Sequence, residues 1–328
     1  MPYRETTVAG LPAISLFNEQ VELVALPGAG ARITHLRLRR RGREWLWRNP
    51  ALPFVVPPAH PVPSPTVYVD RYDSGGWDEC FPTVGACPRP GSPPDHPWLP
   101  DHGELWHAQW GHELFTREGV TTWRCVTVCR TIPAVFSRRV ELSESDGGEN
   151  GTVSFRYGLR STAAEPFPFL WSAHPLLNVQ PGTTVELPGV SRVRVAAVQG
   201  RSDMAVDVET VWPPEGGDRL ALPASGGWAT KLFARSAPEG RAVVTDPLRG
   251  EALELQWDAG EIPWVGLWLN PGGFGPQDVP YYNLAVEPCL AAPDELDRAV
   301  REWQVAPILR PGEERTWRLT VVLRAASS

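Results

Sequence analysis

Three short polar fragments, far apart in the chain, carry the residues best suited to moving protons. They are residues 100–107 (PDHGELWH), 172–179 (SAHPLLNV) and 283–289 (NLAVEPC). The groups of interest, set among apolar or turn residues, are His102, His174 and Glu287. Two imidazoles and a carboxylate suffice for general acid–base chemistry without a metal or a nucleotide. His174 and Glu287 are each followed by proline. A residue before proline is pushed toward extended geometry. Both groups are therefore expected at strand ends, projecting a defined side chain where regular pairing stops. Gly103, beside His102, is expected to let a ligand come close to the backbone. His96, His107 and His112 lie nearby, but their spacing lacks the two-on-one-face arrangement of a helical zinc motif. No metal is expected.

A further polar knot spans residues 73–84 (DSGGWDECFPTV). Its Asp78 and Glu79 are adjacent, so in an extended chain they point to opposite sides and at most one faces a site. No Gly-x-Ser-x-Gly elbow and no phosphate-binding glycine loop is present. That argues against the common hydrolase and nucleotide-dependent classes.

The elements that must position these groups are strands. Residues 21–26, 32–39, 44–47, 120–129, 190–198, 230–234, 242–245, 253–257, 265–269 and 316–323 follow a two-residue period or are short apolar runs. Residues 137–142 and 152–160 flank Asp146-Gly147-Gly148, a hairpin signal. Helix signals are nearly absent, save one or two turns over residues 294–300. The proline-rich residues 50–66 and the stretch 88–101 read as long loops, the second leading straight into His102. No composition break and no fixed repeat appears. One domain over residues 1–328, an all-β antiparallel sandwich, is the expectation.

Composition narrows the function. Formal net charge is −7, which leaves no basic excess to neutralise phosphates, so no nucleic-acid partner is expected. No stretch approaches a membrane span, and no signal peptide is seen. The five scattered cysteines do not form a disulfide framework, and a cytoplasmic location is expected. Fifteen tryptophans suit a packed core and also sugar binding, since indole faces stack on pyranose rings. Lys231 is the only lysine in a chain whose other basic residues are arginine.

The ordered set GGWDECFP, DHGELW, SAHPLLNV and AVEPCLAAPDEL resembles the aldose 1-epimerases, the galactose mutarotase-like proteins. The resemblance runs from about Val21 to the C-terminus, and its knot at Gly75-Gly76 is similar to the hexose-6-phosphate epimerase-like branch. It implies a β-supersandwich with a cleft on one sheet and no cofactor. By the family pattern His174 is the general acid toward the ring oxygen, Glu287 the base toward the C1 hydroxyl, and His102 a hydrogen-bonding group. His174 would then be partly charged near neutrality. Arg71, Trp77, Asp78, His107, Trp228 and Lys231 complete the expected sugar site. Lys231 stands where the family pattern has an aspartate, and it suggests an anionic sugar, with Arg71 completing the anion contact. The partner is then a small sugar, bound by a monomer or homodimer. The competing readings are a non-catalytic carbohydrate-binding protein on the same fold and a sugar lyase or hydrolase.

Overall fold

Alternation of side chains across a strand lets one face of a sheet build a core while the other builds a site. The computed structural model describes residues 2–60, 64–93, 96–143, 148–214, 216–275 and 279–325, and it uses this device twice. Among these residues, eleven strands form one antiparallel sheet. Its spatial order is Tyr3–Val8, Leu11–Phe17, Val21–Leu26, Arg32–Leu38, Trp77–Cys80, Ser172–Leu177, Tyr282–Cys289, Trp264–Pro271, Ala229–Arg235, Arg192–Gln199 and Glu209–Val211. Nine more form a second antiparallel sheet, from Gly111–Arg117 at one edge to Leu220–Ala221 at the other. The expected all-β sandwich is thus present.

The core lies between the sheets. Trp77, Ala173, Leu232, Leu267 and Val286 face it from the first sheet, and Phe136, Phe155, Tyr157, Trp317 and Leu319 from the second. One ionic contact joins the two layers inside this apolar space. Glu79 accepts from Arg138 Nη1 at 3.1 Å, from the Tyr157 hydroxyl at 3.1 Å and from Trp171 Nε1 at 3.0 Å. A fully buried carboxylate is tolerable only with its oxygens so satisfied.

Most expected strands are found within a residue or two. Residues 44–47 are an exception: they form no strand, and Leu46 makes only an isolated bridge to Leu177. Asp146 and Gly147 of the hairpin signal lie outside the described residues, but the flanking strands Ala134–Ser143 and Gly151–Ser161 pair antiparallel. Two short α-helices occur among the described residues, α1 (Val67–Arg71) and α2 (Leu296–Arg301), beside a single 3-10 turn at Leu105–His107. Only the second was signalled by the sequence. No helix among them is long and apolar enough to cross a membrane.

The outer face of the eleven-stranded sheet is roofed by loops. Small apolar clusters sit on it: Tyr68 with Trp106, Trp47 with Leu176 and Tyr281, Phe233 with Trp303, and Cys80 with Leu296. The space they leave uncovered by apolar side chains holds the ionisable groups.

Candidate functional site

The site follows from register. On the strand Ser172–Leu177, Ser172 faces Cys289 and Leu176 faces Ala285, so His174 lies opposite Glu287. On its other side His174 faces Asp78. Ile33 faces Trp77, which sets Arg32 opposite Asp78, and Glu287 faces Gly266, which faces Phe233. One row across six strands therefore reads Arg32, Asp78, His174, Glu287, Gly266, Phe233. Directly opposed residues share a face, with Cβ atoms about 4.5–5.5 Å apart.

His174 and Glu287 do not end their strands, as the prolines after them led one to expect. Both strands run on through Pro175 and Pro288. The cost shows in the ladder: regular pairs join the two strands at Ser172, Leu176 and Leu177 and are missing between, where each proline lacks an N–H.

His102 comes from outside the sheet, on a turn docked against the end of the Asp78 strand. Its N–H donates to the Val84 carbonyl at 2.6 Å, and the Glu104 N–H donates to the Phe81 carbonyl at 2.8 Å. His102 has φ +57°, an uncommon conformation for a residue with a side chain. At Gly103, with φ +67°, a Cβ would lie 2.1 Å from the Phe81 oxygen. The close approach expected at Gly103 is thus made by protein backbone, not by a ligand. The His102 ring stacks on Tyr68 (centroids 4.1 Å apart) and meets His174 edge-on at 4.9 Å.

Charge in the site is closely paired. Arg32 Nε donates to Asp78 Oδ1 at 2.9 Å, and its Nη2 lies 2.6 Å from Oδ2. The Tyr68 hydroxyl donates to the same carboxylate at 2.6 Å. His102 Nδ1 is 2.8 Å from Asp101 Oδ1. Lys231 Nζ donates to Glu287 Oε2 at 2.5 Å and lies 3.1 Å from Asp294 Oδ1. His174, Lys231 and Glu287 are 7%, 5% and 0% exposed, so these pairs are little screened by water.

The two imidazoles are consequently driven apart. Burial pushes the His174 pKa well down, and the charges of His102, Lys231 and Arg32 add to that. Burial also disfavours charge on His102, but Asp101 outweighs it and the net shift is upward. The expected partly charged imidazole at His174 is thereby corrected: burial and the neighbouring cations favour its neutral form, and Asp101 favours the charged form of His102. Burial raises the Glu287 pKa, against the opposing charge of Lys231. Asp73, behind His102, is raised by burial to about 6.

Of the remaining expected site residues, Asp78 is in the row. Trp77 is not: adjacent residues alternate, so it faces the core and stacks on Phe155 at 4.8 Å. Arg71 is exposed at the end of α1. His107 lines a separate cavity of about 990 Å³ with His60, Arg89 and Arg130, and burial lowers its pKa to about 4. Trp228 precedes its strand, packs toward the core and lies under the Arg201 guanidinium at 4.7 Å. Lys231 is in the site but committed to Glu287 and Asp294. The groups not foreseen are Arg32, Tyr68, Asp73, Asp101 and Asp294. Arg32 had a signal, since it stands two residues after the Gly28-Ala29-Gly30 turn. Asp294 was visible only as the start of a helix.

No protein-family profile matches the chain, and no curated protein matches it in sequence. Solved structures do. A galactose mutarotase-like protein from Lactobacillus casei is 17% identical, with a TM-score of 0.64, over 95% of this chain and 100% of that one. The chain has the galactose mutarotase-like fold. A Klebsiella pneumoniae protein provisionally named an aldose 1-epimerase superposes with a TM-score of 0.71 at 13% identity, over 97% of this chain and 80% of that one. A TPR-domain-containing protein from Parabacteroides distasonis matches at 15% identity and a TM-score of 0.68, and there this chain spans 48% of its length. The galactose mutarotase-like fold thus covers nearly the whole chain.

Proposed function

We propose that this protein interconverts the anomers of a sugar by proton transfer within the His102–His174–Glu287 site. The observation that carries the reading is the placement of His174 directly opposite Glu287 on the site face, each with an unpartnered buried atom, Nδ1 and Oε1. Unsatisfied buried polar atoms call for a partner, and a bound polyhydroxylated ligand supplies one. Glu287 Oε1 takes the proton from the C1 hydroxyl. The His102 imidazolium gives a proton to the ring oxygen as the C1–O5 bond breaks, and neutral His174 hydrogen-bonds the sugar. Rotation about C1–C2 and the reverse transfers close the ring on the other face of the aldehyde, restoring both groups.

The substrate in this reading is uncharged. Arg32, Lys231 and His102 are each engaged by a carboxylate, and Asp78, Asp101, Glu287 and Asp294 outnumber them before Asp73 is added. Among the described residues of the site no cation is left for a phosphate or sulfonate, and the net field repels one. The anionic sugar expected from Lys231 with Arg71 finds no support, since Lys231 is held by two carboxylates and Arg71 is exposed.

A second reading, a sugar-binding protein without turnover, draws on the same Lys231 contact, because an ammonium at 2.5 Å weakens Glu287 as a base. Anomer-exchange NMR over neutral hexoses, pentoses and sugar phosphates separates the two. Exchange on neutral sugars, cut by roughly 10²-fold or more in Glu287→Gln with binding retained, supports the enzyme. Saturable binding with no exchange on any sugar favours the binding protein.

A further inference from the structure

The two oxygens of Glu287 have different surroundings. Oε2 accepts from Lys231 Nζ at 2.5 Å, whereas Oε1 is buried without a partner. Lys231 does not come from the neighbouring strand. It sits on Ala229–Arg235, and Trp264–Pro271 lies between that strand and the one carrying Glu287. The lysine stem crosses this intervening strand over Gly266. A Cβ on Gly266 would lie 3.3 Å from Lys231 Cε and 3.4 Å from Glu287 Cβ, so the bare glycine lets the stem pass without having to give by a few tenths of an ångström. Asp294 Oδ1 lies 3.1 Å from the same ammonium. Its backbone carbonyl is fixed by the Val84 and Gly85 N–H groups, both at 2.9 Å, and by Thr83 Oγ1 at 3.1 Å.

We propose that Lys231 is the positioning residue of the base: it holds Oε2, keeps Glu287 ionised on the closed sheet face and leaves Oε1 as the proton acceptor. Asp294 sets the strength of this effect by sharing the ammonium. The purpose assigned to Lys231 rests on the proton-transfer reading above, but its test does not. Glu287 is faced by Lys231, Asp294, His102 and His174, and by the neutral thiols of Cys80 and Cys289. Of these, Lys231 is the cation in direct contact. An opposite charge this close lowers a carboxyl pKa by about 1–3 pH units. The absence of the cation must therefore raise it, and the absence of the rival carboxylate must lower it.

The experiment is a carbon-13 NMR titration of the glutamate side-chain carboxyls in the full chain. The Glu287 signal is the one missing from Glu287→Gln. Lys231→Met is expected to move its midpoint upward by about 1–3 pH units. Asp294→Asn, which keeps the backbone anchor, is expected to move it downward. An unchanged midpoint in Lys231→Met, or shifts of the same sign in both variants, overturns the proposal. If Lys231→Met does not fold, Asp294→Asn decides alone: a downward shift supports the proposal, and no shift or an upward one overturns it. Opposite shifts in a protein that exchanges no anomers would leave the role of Lys231 standing and sink the mutarotase reading instead.

Discussion

Gly266→Ala tests the close packing at the centre of the site. The added methyl would meet Phe233 Cε1 at 3.0 Å, Lys231 Cε at 3.3 Å and Glu287 Cβ at 3.4 Å. The lysine stem can bend away, but the Phe233 ring is held edge-on against Trp303 with centroids 6.0 Å apart, and Glu287 Cβ belongs to a central strand. Overpacking of this kind costs about 1–3 kcal/mol. Alanine returns about 0.5–1 kcal/mol over glycine inside a strand. The net expectation is a loss of roughly 0–2.5 kcal/mol by urea unfolding, taking overpacking against that return. A shift of a few tenths of an ångström at Lys231 or Glu287 should also slow anomer exchange roughly three- to tenfold. Gly28 provides the control. It is exposed, has open space where a Cβ would sit, and has no left-handed φ. Gly28→Ala should be neutral or stabilising by up to about 1 kcal/mol. A Gly266→Ala protein more stable than wild type, with unchanged exchange, would refute the argument that Lys231 reaches Glu287 through a gap kept tight around a glycine.

Two further outcomes are expected. Arg138→Met leaves Glu79 buried between the sheets without its cation, which should cost about 3–5 kcal/mol, and adding Glu79→Gln should recover part of it. A loss below about 1 kcal/mol in urea titration would mean the pair does not tie the layers. In a proton NMR titration of the histidine rings, His102 should titrate above the ordinary imidazole value and His174 below it. Since the folded His102 pKa is raised, its pairing with Asp101 contributes fully below the unfolded pKa. That contribution is lost as pH rises through the folded value, at about 1.4 kcal/mol per unit of difference between the two. The stability gap between wild type and Asp101→Asn should narrow accordingly toward alkaline pH. The reverse order of the two midpoints would refute the assignment of charge to His102.

Legibility in the sequence followed the range of the forces involved. Strands such as Arg32–Leu38 and Glu251–Asp258 were readable because alternation is written in neighbouring residues. The strand Trp77–Cys80 was readable as a polar knot and Asp78 as one of two alternating carboxylates, yet Trp77 was placed in the sugar site although the same alternation excludes it. Local proline rules misled at Pro175 and Pro288. They describe what a proline removes from a ladder, and they say nothing of neighbours able to hold the strand on either side of the gap. Helix α1 was not foreseen at all: five residues after a proline-rich stretch carry no periodic signal, and yet it supplies Tyr68.

The site itself was legible as residues and not as charges. His102, His174, Glu287 and Lys231 were each visible by type and context, but what each does depends on its neighbours across the sheet. Lys231 read alone is a free cation, fit for an anionic sugar. Set two strands from Glu287, with glycine between them, it becomes the counter-ion of a carboxylate. His174 read beside a carboxylate should be charged. Set among His102, Arg32 and Lys231, and buried, it is neutral. Register decides both cases, and a slip of one residue on any of these strands would send its member of the row to the core. The six residues of that row, from Arg32 to Glu287 in the chain, share no local pattern; the sheet alone makes them neighbours, and their protonation states are a property of that neighbourhood.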